Sequence, residues 1–216
     1  GAQVCCVPLV PVNGEWTLDL AAVRAAVTPA TKLLIVNAPN NPTGWTMSSA
    51  EQQALLDHCR STGTWILADE VYERLYYEPT PNGCAPSFLD IAAPDDHLIV
   101  AHSFSKSFLM TGWRLGWLVL PPALVDGMGK LIEFNTSCTS VFTQRAGIAA
   151  LTRTDEVTPR VVAHLKHCRD PLLPLLSTVP AVRVASATVG MYSLFPLLVS
   201  SYSLHPAQRL FTPFRP

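Results

Sequence analysis

Three short apolar runs, each ending in polar side chains, constrain this chain more than any other feature of its sequence. They are Lys32-Leu33-Leu34-Ile35-Val36-Asn37, Thr64-Trp65-Ile66-Leu67-Ala68 and His97-Leu98-Ile99-Val100-Ala101-His102. Unalternating runs of this length suit strands of a parallel sheet covered on both faces. The spacer between the first two carries helix signals of its own. Ser48-Ser49-Ala50-Glu51 makes a capping box, Ala54, Leu55 and Cys59 share one face, and Gly63 supplies the stop. Strand, helix and strand in that order predict a right-handed parallel crossover. The expected fold class is α/β, a mostly parallel sheet flanked by helices.

The remaining segments fill out this plan. Residues 4–10 read as a strand and Asn13-Gly14 as a turn. Leu20, Val23, Ala26 and Val27 space as one face of a short helix that ends before Pro29. Asn37-Ala38-Pro39-Asn40-Asn41-Pro42-Thr43-Gly44 is a rigid loop of turn formers. Residues 78–94 read as loop and 115–120 as a further strand. Helical spacing follows over 124–134, 141–151 and 156–168, with Pro171 and Pro174 expected to break the last helix. Residues 181–185 and 192–199 read as strands. The expected domains are a large domain over 1–165, the start of a smaller α/β domain over 166–199, and an unpatterned tail over 200–216.

Composition narrows the class of partner. Hydrophobic residues make up 49% and charged residues 14% of the 216, against about 25% charged in an average domain. Much of the surface is therefore expected to lie under more protein, from a partner subunit or further chain. The net charge of −1, without a basic cluster, argues against nucleic acid. No apolar run reaches the ~20 residues of a membrane span, and the first residues carry no signal-peptide pattern. Six cysteines without CxxC spacing read as buried, reduced thiols of a cytoplasmic protein. His58, His97, His102, His164, His167 and His205 make no convincing metal-ligand set.

Polar groups follow each apolar run: Asn41 after the first, Asp69 to Tyr72 after the second, Ser103 to Lys106 after the third. In a parallel sheet these ends lie along one edge, where α/β proteins bind ligands. A buried lysine can lose its proton and attack a carbonyl as an amine. Arg114, eight positions beyond Lys106, offers a fork suited to phosphate. An aldehyde-bearing, phosphorylated cofactor, pyridoxal 5'-phosphate, fits this set. Asp69 can pair with its pyridinium nitrogen, Tyr72 and Asn41 can hydrogen-bond its phenolic oxygen, and Ser103 and Arg114 can hold its phosphate. Each residue also admits a purely structural role. Asp69 can cap a turn, Tyr72 can be a rim aromatic, Asn41 can shape its loop, and Arg114 can pair with a structural carboxylate.

Asn41-Pro42-Thr43-Gly44, Asp69-Glu70-Val71-Tyr72 and Ser103-Phe104-Ser105-Lys106 with Arg114 resemble the signature of the class I/II aminotransferases, fold-type I pyridoxal-phosphate enzymes. The resemblance runs from about residue 3 to residue 151. It implies that residues 1–165 are part of the family's cofactor-binding large domain. It also implies that Lys106 carries the cofactor as a Schiff base and that Asp69, Tyr72, Asn41, Ser103 and Arg114 contact it as above. The implied reaction moves an amino group between an amino acid and a 2-oxo acid in a homodimer with sites at the subunit interface.

Departures from the family pattern are equally plain. The chain starts well inside the large domain, without the glycine- and serine-containing turn that binds the phosphate and without the aromatic that stacks on the ring. Residues 189–195 resemble the first strand of the small domain, but the pattern stops after about Leu198. Arg209 and Arg215 have no placeable role. The chain reads as a fragment, a truncated reading frame or a partial gene, expected to be poorly active or inactive alone. Carbon–sulfur β-lyases of the same fold share these motifs. A pyridoxal-phosphate-sensing regulator domain and a non-catalytic remnant are compatible with them as well.

Overall fold

The computed structural model describes residues 1–179, 184, 188 and 189. At its centre is a four-stranded sheet of β3 (Leu33–Asn37), β4 (Trp65–Asp69), β5 (Leu98–Ser103) and β6 (Gly116–Val119), in that spatial order. The first three strands are parallel and β6 lies antiparallel on β5. Before them come a hairpin, β1 (Val10–Val12) and β2 (Glu15–Thr17), and a short helix, α1 (Leu20–Ala26). Helix α2 (Ser49–Thr62) makes the crossover from β3 to β4.

Local chemistry accounts for these boundaries. The α2 start is a complete capping box: the Ser48 hydroxyl accepts from Glu51 N, and Ser48 N donates to the Glu51 carboxylate at 2.8 Å. Its end is Gly63 at φ 69°, where a Cβ would be strained. Asp19 caps α1 by accepting from Ala22 N at 2.9 Å. The main core lies between one sheet face and α1 and α2, and joins Val36, Ile66, Ala68, Leu98 and Val100 to Val23, Leu55, Leu56 and Cys59. On the edge strand β3, Leu33 and Ile35 remain 44% and 64% exposed.

Three expectations are corrected. The strand expected over 4–10 is confined to Val10–Val12. Asn13 and Gly14 form a two-residue turn with φ of 51° and 82°, so among the described residues β1 pairs only with Glu15, Trp16 and Thr17. The partner side then runs into the Asp19 cap, and no strand residues remain opposite 4–9. The prolines do not break the last helix: α5 (Thr154–Ser177) runs through Pro159, Pro171 and Pro174. Prolines 171 and 174 remove the donors for the carbonyls of His167 and Asp170, but both residues are exposed and water can serve those carbonyls. The thiols are not mainly buried: Cys5, Cys6, Cys138 and Cys168 are exposed and Cys59 alone is buried. The strands expected at 181–185 and 192–199 and the tail over 200–216 lie outside the described residues, apart from Val184.

The lysine loop rests on its own small core. Phe104, Phe108 and Met110 pack with Leu115, Trp117, Ala146, Ala150 and Val157. Two further helices, α3 (Pro122–Thr136) and α4 (Val141–Thr152), follow β6, and α4 approaches so closely that a Cβ on Gly147 would meet Leu115 Cδ2 at 2.6 Å. Among the described residues no helix is long and apolar enough to cross a membrane.

Candidate functional site

Register brings the strand ends together. Asn37 pairs with Asp69 across β3 and β4, and Asp69 pairs with Ala101 across β4 and β5. The polar residues that follow each strand therefore leave the sheet at one level, the carboxyl edge where α/β folds collect ligands. The loop after β3 contains cis bonds at Ala38-Pro39 and Asn41-Pro42. It turns back so that Asn41 Nδ2 donates to the Tyr72 hydroxyl at 2.9 Å. Tyr72 is itself buried, packed with Leu75, Val161 and Val189.

Asp69 sits half-buried between these groups. Its Oδ2 accepts from Asn37 Nδ2 at 3.0 Å, while its Oδ1 is buried without a hydrogen-bond partner among the described residues. An unmet buried acceptor costs about 1–3 kcal/mol and calls for a donor not yet in place. The next residue, Glu70, anchors this strand end. Its backbone N donates to Ala101 O at 3.0 Å. Its carboxylate accepts from Ser87 Oγ at 2.6 Å and Phe88 N at 3.0 Å. Burial pushes the Glu70 carboxyl above the usual range, against the opposing pull of those two hydrogen bonds.

Lys106 lies in the loop after β5, half-buried, with Nζ 5.8 Å from the centre of the Tyr72 ring. Its ammonium makes no hydrogen bond or ion pair among the described residues. The loop is drawn tight by polar contacts: Ser103 Oγ accepts from Ser105 N at 3.0 Å, Thr111 Oγ1 donates to Ser105 O at 2.9 Å, and Arg114 Nη1 donates to Thr111 O at 3.0 Å. Leu109 and Arg114 both hold positive φ, 54° and 51°, conformations that cost a non-glycine residue energy and concentrate at ligand sites. Ser103 and Arg114 are thus ends of one hydrogen-bonded chain, with the guanidinium exposed.

All six residues singled out from the sequence leave the same sheet edge. Asn41 touches Tyr72, Lys106 faces Tyr72, and Ser103 and Arg114 are linked through Ser105 and Thr111. The Asp69 carboxylate bonds to Asn37 rather than to any of the other five. Sequence reasoning missed Asn37, the residue between Asp69 and the Asn41 loop. The available signal was an asparagine closing the apolar run just before the Asn41 loop.

A family model described as aminotransferase class I and II matches residues 1–197. An aspartate aminotransferase of Musicola paradisiaca is 29% identical over 195 residues, which cover 89% of this chain and 47% of that protein. An LL-diaminopimelate aminotransferase of Nitratidesulfovibrio vulgaris is 34% identical over 197 residues, covering 91% of this chain and 50% of that protein. Among solved structures, a Thermus thermophilus aspartate aminotransferase double mutant superposes with a TM-score of 0.77 at 29% identity, covering 85% of this chain and 47% of that one. The N-succinyldiaminopimelate aminotransferase of Mycobacterium tuberculosis gives a TM-score of 0.74 at 29% identity, with the same coverage. The chain spans about half the length of these relatives.

Proposed function

The chain belongs to the class I and II aminotransferases, and on that premise we propose that it serves a pyridoxal-phosphate-dependent transfer of an amino group between an amino acid and a 2-oxo acid. The single observation that carries this is the Asp69 carboxylate. One oxygen is held by Asn37 and the other is buried and unmet, at the sheet edge that also carries Lys106, Tyr72 and Asn41.

The residues present fit the cofactor. Asp69 Oδ1 suits a protonated pyridine nitrogen, which would supply its missing donor. The Asn41 amide and the Tyr72 hydroxyl suit a phenolic oxygen. Ser103 and Arg114 suit a phosphate, the arginine as a permanent charge, and Lys106 is the primary amine that would anchor the aldehyde. When bound, pyridoxal phosphate supplies an electron sink for the substrate's Cα. The chain's part is to place groups around it. Asp69 holds the ring-nitrogen proton. Tyr72 and Asn41 would fix the ring's orientation, and Lys106 Nζ would shuttle the proton between the substrate Cα and the cofactor carbon.

A homodimer in the cytoplasm completes the proposal. Helix α3 buries none of its residues, and Phe134 and Phe142 are 95% and 72% exposed, which suits coverage by a second copy. All six cysteines are free thiols, as a reducing compartment favours. Incubating the purified protein with pyridoxal phosphate, amino donors and a 2-oxo acid tests the reaction. The expected product is the new amino acid together with the donor's keto acid. Release of ammonia, pyruvate and a thiol from a sulfur-containing donor would instead identify an eliminating enzyme.

A further inference from the structure

We propose that Asn37 is a positioning residue, whose single carboxamide ties the Asp69 carboxylate to the Asn41 loop and so sets two cofactor contacts at once. This rests on the cofactor assignment above. Asn37 is the last residue of β3, directly across from Asp69. Its Nδ2 donates to Asp69 Oδ2 at 3.0 Å and to Asp69 O at 3.3 Å. Its Oδ1 accepts from Asn41 N at 2.9 Å and from Asn40 Nδ2 at 3.1 Å. The Asn40 side-chain carbonyl in turn accepts from Thr43 Oγ1 at 2.7 Å, which holds the far side of the loop.

Only one orientation of the amide satisfies these partners. Reversed, its oxygen would face a carboxylate and a carbonyl, and its nitrogen would face two donors. The position therefore requires a donor and an acceptor on one short planar group. Aspartate keeps the acceptor and loses the donor, and alanine loses both. With Oδ2 engaged by Asn37, Asp69 has Oδ1 left for the ring, and Asn41, bonded through its backbone to the same amide, keeps its side chain on Tyr72.

Asn37→Asp and Asn37→Ala test this in the full chain. Asn37→Asp puts a second carboxylate about 3 Å from Asp69, and such a pair shares one proton. Carbon-13 NMR of the aspartate carboxyls without cofactor, with the Asp69 signal identified through Asp69→Asn, should show Asp69 titrating in two coupled steps separated by about 1 unit or more. Asn37→Ala should weaken pyridoxal phosphate binding by about tenfold or more, as loss of a hydrogen bond to a charged group implies. It should also shift the pH midpoint of the bound cofactor's absorbance. Ser48→Ala, which destabilises α2 without touching the site, should leave both cofactor readouts unchanged. An Asp69 signal in Asn37→Asp that titrates as in the parent, or Asn37→Ala binding as the parent does, would overturn the proposal. If Asn37→Asp does not fold, Asn37→Ala decides. If the parent chain shows no Lys106-dependent cofactor signal, the cofactor assignment fails, and the NMR measurement alone decides whether Asn37 governs Asp69.

Discussion

Replacing Glu70 separates what its charge does from what its hydrogen bonds do. The residue is 1% exposed, and both carboxylate oxygens accept protein donors, Ser87 Oγ and Phe88 N. Glu70→Ala strands both donors in the interior. At about 1–3 kcal/mol for each unmet buried group, the loss should be about 2–6 kcal/mol. Glu70→Gln keeps both contacts, with its oxygen on Phe88 N and its amide donating to Ser87 Oγ. It also removes a charge that burial disfavours.

The pH dependence follows from the direction of the shift. The folded state holds the Glu70 proton more tightly than the unfolded chain does. The stability this confers is complete below the unfolded value and is lost as pH rises through the folded value. Urea midpoints of parent, Glu70→Gln and Glu70→Ala should be compared from about pH 4 to pH 8. The stability of Glu70→Gln relative to the parent should rise across that range and end equal or higher, while Glu70→Ala stays well below both. A Glu70→Gln loss as large as that of Glu70→Ala at neutral pH would refute the reasoning. So would parent and Glu70→Gln curves that remain parallel.

Other consequences are direct. Gly147→Ala drives a methyl into Leu115 Cδ2 and to 3.3 Å from Phe104 Cζ, so it should cost about 1–3 kcal/mol of overpacking in urea denaturation. Phe104 opens the lysine loop, so the same variant should weaken cofactor binding. Cys59, whose thiol burial pushes up to about 11, should resist alkylation by iodoacetamide at mildly alkaline pH. The exposed Cys5, Cys6, Cys138 and Cys168 should react first, as peptide mass mapping would show.

What was legible in the sequence was local. The three apolar runs became β3, β4 and β5 because run length and flanking turn residues act within a few positions. The Ser48–Glu51 box and Gly63 set the ends of α2 for the same reason. Polar groups at the strand ends converge as parallel topology requires. What was hidden depends on distant partners. Asn37 looks like a strand terminus until β3 and β4 are placed in register, 32 positions apart. Glu70 gains its anchors from Ser87 and Phe88, in a loop with no periodic pattern. The prolines of α5 predict a break that does not occur, because their cost depends on whether the carbonyls they deprive can reach water, which the sequence does not state.

Lys106, set against Tyr72 at the edge that carries Asp69, is the proposed amine that holds the cofactor. The most direct test is the visible absorbance of the purified chain titrated with pyridoxal phosphate, beside Lys106→Ala. The parent should show a saturable change in the cofactor's absorption and a further change on adding an amino acid, and Lys106→Ala neither. A spectrum identical in the two proteins, whether both change or neither does, would contradict it.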